Sequence, residues 1–186
     1  MKKILCVILA VLMAFSFTAC GKESPEKAAD NALKAVKKLN PVGIAKYFGD
    51  DAVDEMDFDD ISAEELKIVK KFFSKTSWEI LGSVEDGDTA TVTVEITCVD
   101  PSPIFTEVVA QMLGDSLSSL LGSDTDEEAM KKKALEIIDE MLSAKDVEMT
   151  ASTVELDMTK NGESWKIDLK TSLIGSFTGG LEDLLS

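Results

Sequence analysis

From Ala90 to Cys98 the chain alternates without a fault. Ala90, Val92, Val94, Ile96 and Cys98 are apolar, and Thr91, Thr93, Glu95 and Thr97 stand between them. Successive side chains of a strand point to opposite faces, so this pattern demands a sheet with one buried face and one wet face. A helix would scatter both sets around its surface. Sheets that are wet on one side are characteristically antiparallel. Just upstream, Asp86-Gly87 supplies a turn, and Trp78, Ile80 and Val84 fall at alternate positions before it. Together these segments predict a β-hairpin.

A second hairpin is predicted from about Val147 to Ile174, turning at Asn161-Gly162, a type I′ signal. Its first strand changes phase. Val147, Met149 and Ala151 are apolar at odd positions, whereas Val154, Leu156 and Met158 are apolar at even ones. One face cannot bury both sets unless the register slips by a residue. A bulge or sharp bend is therefore expected between Ala151 and Thr153. Trp165, Ile167, Leu169 and Leu173 supply the facing apolar set.

Helical segments precede and interrupt these strands. Ser24-Pro25 is an N-cap followed by proline at the first helical position, and Ala28, Ala29, Ala32, Leu33, Val36 and Leu39 form one stripe. Asn40-Pro41 repeats the signal for a short helix that stops at Gly49. Ser62-Ala63-Glu64-Glu65 is a capping box for a third helix running to about Phe73. Residues 103–143 read as an inserted helical pair. Its first member is rich in apolar residues from Ile104 to Leu121, and its second opens on a Thr125/Glu128 capping box.

The N-terminus has a different logic. Met1-Lys2-Lys3 is followed by an apolar run from Ile4 to Phe17, then Thr18-Ala19-Cys20-Gly21. The run is short of the roughly 20 residues needed to span a bilayer, and the pattern is that of an export signal. The cysteine after Thr18-Ala19 looks like a bacterial lipobox, with Phe17 standing where such sites usually carry leucine. Residues 1–19 are thus expected to be removed as a lipoprotein signal peptide, and Cys20 to be lipidated. Residues 20–23 form the short tether, and residues 24–186 form one domain. About four residues at roughly 3.5 Å each reach only about 14 Å, so the domain would sit close to the outer face of the cell membrane.

Composition excludes several chemistries. The chain has a net charge of −16, no histidine and no arginine. Nucleic acid is a poor partner for so acidic a protein. Histidine general bases, Ser-His-Asp and Cys-His systems and histidine metal ligands are all unavailable. Cys6 leaves with the signal, so Cys98 has no intramolecular disulfide partner, and its place in an apolar stripe reads as a buried inert thiol. Asp50 to Asp60 is strongly acidic but lacks the spacing of a calcium loop, and reads as a solvated segment. No metal or other cofactor is expected. The six lysines of residues 20–49 outnumber the three acids there. These lysines read either as a solvated helix face with no orienting role, or as a face turned toward an anionic membrane surface while the acidic body is pushed outward.

Three segments carry a family resemblance: Pro25-Glu26-Lys27-Ala28-Ala29, Gly87-Asp88-Thr89-Ala90-Thr91-Val92-Thr93-Val94, and Asn161-Gly162-Glu163-Ser164-Trp165-Lys166-Ile167-Asp168. Together they resemble the NTF2-like lipoproteins of Gram-positive bacteria, many of them domains of unknown function. The resemblance covers most of residues 24–175. It implies an α+β cone, in which a curved antiparallel sheet of about four strands packs on the N-terminal helices around a pocket. The extra pair at 103–143 departs from that pattern and would plug or lid the pocket. Tyr47, Phe48, Trp78, Phe105 and Trp165 are the candidate pocket lining, or simply core.

Some NTF2-like proteins are isomerases or cyclases that use pocket carboxylates. Glu155 and Asp157 lie near the expected phase change and are the catalytic candidates here, provided a bulge turns one of them inward. The expected role is a membrane-tethered, non-catalytic module that binds an envelope protein or a small apolar ligand. An isomerase-like enzyme and an assembly protein that uses the helical pair are the alternatives.

Overall fold

The computed structural model describes residues 23–54, 61–119, 127–169 and 171–181. The signal segment and Cys20 lie outside the described residues. So do Thr125 of the second capping box and residues 55–60 of the acidic stretch.

The fold is α+β, with seven helices among the described residues and one curved antiparallel sheet of four strands. In chain order the elements are α1 (Pro25–Lys37), α2 (Pro41–Phe48), α3 (Asp51–Asp54), α4 (Ala63–Ser74), β1 (Ser77–Asp86), β2 (Thr89–Val99), α5 (Pro101–Ser119), α6 (Glu127–Ser143), β3 (Met149–Asn161), β4 (Ser164–Ile167) and α7 (Thr171–Thr178). The strands pair in sequence order, β1-β2-β3-β4.

The helix starts follow the local chemistry. The Ser24 hydroxyl accepts from the Lys27 N–H with Pro25 behind it, and Asn40 caps α2 in the same way. Both halves of the Ser62/Glu65 capping box are formed. The stripe Ala28, Ala29, Ala32, Leu33 and Val36 is buried, four of these residues completely. Three alanines in that stripe let α1 approach the sheet closely. It lies on the even-numbered face of β2, where Val92, Val94 and Ile96 are fully buried.

Three expectations about the strands need correction. First, β3 has no bulge: its pairing with β2 runs unbroken from Thr89↔Thr159 to Val99↔Met149. Val154, Leu156 and Met158 face the core, while Met149 and Ala151 stay exposed on the other face. The phase change reflects two faces, and Val147, just before the strand, packs into a second cluster instead. Second, the register break is in β1, between Ile80 and Gly82. It flips the strand, so Val84 is 72% exposed and Ser83 turns inward to donate to the Glu26 carboxylate on α1. Third, the last hairpin ends at Ile167. Leu173 belongs to α7, whose Leu173 and Phe177 join the main core on the buried face of the sheet.

The hairpin turns also sit one residue later than expected. Asn161 pairs with Ser164, so the central pair is Gly162-Glu163. Only Gly162 has positive φ (+65°), and among the described non-glycine residues only Leu39 does. This is the II′ class of hairpin turn, with glycine first, rather than I′. Gly87 (φ +62°) followed by Asp88 repeats the arrangement.

The inserted pair α5–α6 does not enter the concavity. It packs on α4 at one end of the sheet and forms the second cluster, where Val99, Ile104 and Leu142 are joined by Ile68, Phe72, Val108, Ile138, Met141 and Val147. α7 ends against the same region. Gly179 (φ +68°) sits so near Val99 O and Pro101 Cδ that a Cβ would fall 2.7 Å from each. Only glycine allows that approach.

Candidate functional site

Apolar side chains that the fold leaves partly uncovered converge between α4, α5 and α6. Ile68, Val69 and Phe72 come from α4, and Ile104, Phe105 and Val108 from α5. Ile138 and Leu181 close the ends. They enclose a groove of about 330 Å³. Phe105 is 39% exposed on its rim. Along α5 the apolar row continues at helical spacing through Val109 and Leu113, which are also exposed. An exposed apolar row beside a groove is the kind of surface that proteins keep for a partner.

The five aromatic candidates do not line one pocket: four gather at the main core and one lies apart. Tyr47 and Trp165 are buried in the main core, and Phe48 and Trp78 pack against it. Phe105 alone lines the groove. Trp78 stacks obliquely near Phe177 of α7, with ring centroids 6.5 Å apart. A helix that the strand pattern did not reveal therefore packs against these core aromatics.

Glu155 and Asp157 both lie on the odd-numbered face of β3, away from the core. Glu155 is exposed, and Asp157 accepts a 3.0 Å hydrogen bond from the Thr91 hydroxyl across the strand pair. Without a bulge in β3, nothing turns either one inward.

The most heavily engaged carboxylate is one that sequence reasoning passed over. Glu23 accepts from Asn31 Nδ2 at 2.6 Å and from the Tyr47 hydroxyl at 2.8 Å on one oxygen. The Ser164 hydroxyl and Lys46 Nζ meet the other. Burial pushes this carboxyl up, but hydrogen bonds from Ser164, Tyr47 and Asn31, with the Lys46 charge, outweigh it and hold the group below its ordinary value. So committed a carboxylate is a structural acceptor rather than a general base. Its signal in the sequence was slight: an acid immediately before a Ser-Pro cap.

A Ser–Lys pair also forms where α4 meets α6. Lys71 Nζ contacts Ser143 Oγ, but it also lies 2.7 Å from Asp139 Oδ1 and 2.8 Å from Asp139 O. The Lys71 hydrogen bond lowers the Asp139 pKa, so that carboxylate stays ionised and the side chain of Lys71 serves as a clamp between helices. Burial raises the Cys98 thiol pKa, with the nearby Asp100 charge adding to it, as suits an inert core cysteine. Among the described residues no group of acids and cysteines is arranged to hold a metal ion.

These features define an α+β domain with helices packed on the buried face of its sheet and, among the described residues, an apolar groove at its end. The chain belongs to the DUF5105 family, a domain of unknown function, whose profile matches residues 22–178. The crystal structure of YcdA from Bacillus subtilis, assigned as a lipoprotein, is similar in fold, with a TM-score of 0.54 at 18% identity. The likeness covers 86% of this chain and 56% of YcdA, so this chain spans little more than half of that protein's length. No curated protein sequence matches.

Proposed function

We propose that this chain is an exported lipoprotein, held on the outer face of the cell membrane by acyl chains on Cys20, and that its NTF2-like domain is a non-catalytic binding module. The lipobox-like end, the YcdA fold likeness and the family span beginning at residue 22 support the first part. Among the described residues, no helix is long and apolar enough to cross a membrane. The second part rests on one observation: the groove that continues into the exposed row Phe105, Val109 and Leu113.

A groove at the end of the sheet favours a protein partner, whose apolar side chains would enter it, over an enclosed small molecule. An isomerase-like reading would need an inward carboxylate. Glu155 and Asp157 point away from the core, and Glu23 is saturated.

Labelling cells with a palmitate analogue tests the anchor: the label is expected on this chain and absent from Cys20→Ala. A photo-crosslinking residue at Val109 tests the binding role. A defined crosslinked envelope protein that disappears with Phe105→Ala is the expected result. Crosslinks unaffected by that variant would remove the groove from the reading.

A further inference from the structure

We infer that Glu23 is the point at which the domain grips its own tether, fixing which end of the molecule lies against the bilayer and sending the apolar groove to the far end. The inference builds on the reading of Cys20 as the lipidated residue. Glu23 lies three residues beyond that cysteine, where a tether would ordinarily be solvated and free to swivel. Here its main chain and its side chain are both held. Its N–H donates to Glu163 O at 3.0 Å, and its carbonyl accepts from Trp165 Nε1 at 2.9 Å. The carboxylate takes donors from α1 (Asn31), α2 (Lys46 and Tyr47) and β4 (Ser164). The side chain is only 15% exposed. Three elements and the β3–β4 turn thus close on one residue.

Position along the sheet gives this grip its consequence. The β3–β4 turn that holds Glu23 lies beside the β1–β2 turn, because Lys160 N–H donates to Asp88 O. Both turns sit at one end of β2. From there β2 runs 11 residues, about 33 Å at roughly 3.3 Å per step, to Val99. Pro101, Ile104 and Phe105 of the groove follow directly. α1 travels the same way, from Ser24 beside the grip to Lys37, whose Nζ reaches Thr76 O just ahead of β1.

Three residues of extended chain give Cys20 a reach of only about 10 Å from Glu23. The turns must therefore stay near the headgroups, and the groove, at the other end of the sheet, is free to open well clear of them. The grip end carries Asp86, Asp88 and Glu163 as well as Lys46 and Lys160, so the short tether and its anchorage, rather than a basic patch, set the orientation.

The experiment uses the full acylated chain in vesicles that contain a headgroup energy acceptor. A donor dye is placed at Glu163→Cys in one sample and at Ser102→Cys, beside the groove, in another. Transfer several-fold stronger from residue 163 is expected, with that ratio reduced in Glu23→Ala, which frees the tether back to the Ser24 cap. Equal transfer from both in the otherwise unaltered chain would overturn the inference.

Two controls separate the possible failures. A chain that does not enter vesicles and carries no acyl group refutes the anchor alone. The grip is then read from a spin label at Lys22→Cys in the Cys20→Ala chain. That label should be immobile, and should be released by Glu23→Ala or by Ser164→Ala with Tyr47→Phe. A label already mobile before those substitutions refutes the grip. Thermal unfolding of each variant identifies any that fail to fold, and the Ser164/Tyr47 pair provides a second route if Glu23→Ala does.

Discussion

The indole N–H of Trp165 donates to the main-chain carbonyl of Glu23 at 2.9 Å, joining the β4 strand to the residue just ahead of the first helix. The ring itself is 2% exposed and forms part of the main core. Trp165→Phe keeps most of the apolar bulk and deletes the donor. A loss of about 1 kcal/mol is expected from the unpaired carbonyl, more where the smaller ring leaves a void. Urea unfolding at neutral pH measures it. An unchanged midpoint would mean that water replaces the indole without cost.

Acid should loosen the same corner. The Glu23 carboxyl is held below its ordinary value of 4.5 by its donors, against the opposing effect of burial. A carboxylate whose folded pKa is depressed contributes stability above the unfolded pKa. That contribution is lost as pH falls through the folded value. Stability should therefore be insensitive to this group above about pH 4.5 and fall below it, with Glu23→Gln flattening part of the slope. Urea midpoints recorded from pH 6 to pH 3 check this. Glu65, drawn down to about 2 by the Ser62 cap and Lys131, should keep its charge through most of that range.

The register break in β1 makes a contrast that strand periodicity alone reverses. Val84 occupies an apolar position in the alternating pattern yet is 72% exposed, whereas Val92 is 0% exposed. Val84→Thr should change stability by less than about 0.5 kcal/mol. Val92→Thr buries a hydroxyl and should cost about 1–3 kcal/mol. Comparable losses at the two sites, measured by thermal unfolding, would contradict the bulge.

The helical pair is held by packing more than by charge. Leu142 of α6 is 0% exposed, and Leu142→Ala is expected to cost about 2–5 kcal/mol. Lys71→Ala removes the 2.7 Å contact to Asp139, where both side chains remain partly in water. Its cost should stay below about 1 kcal/mol. Hydrogen exchange of α5 and α6 amides provides the local readout, with Leu142→Ala accelerating exchange far more than Lys71→Ala.

Periodicity and capping chemistry act over a few residues, and most of the elements could be read from them. The caps at Ser24, Asn40 and Ser62, the α1 stripe and the alternation of β2 all have their cause within one or two turns of chain. The β3 phase change misled, because apolar residues on an outer face look the same as a slipped register until a second layer is seen. Val147 finds its burial in a cluster built from three helices, α4, α5 and α6, and the pattern of β3 carries no trace of them. Phe105 could be listed as apolar, but its place on a groove rim depends on where α4 and α6 lie.

The sequence by itself determined that this is an α+β chain with one wet-faced antiparallel sheet, no histidine chemistry and short capped helices, because each of these follows from local periodicity and composition. Tertiary structure alone decided that α7 packs on the buried face of the sheet, that the bulge falls in β1, that the helical pair stands at the end of the sheet, and that Glu23 is gripped from three elements. Each of those outcomes depends on surfaces distant in sequence competing for the same apolar contacts and hydrogen bonds, and local pattern carries no information about which of them wins.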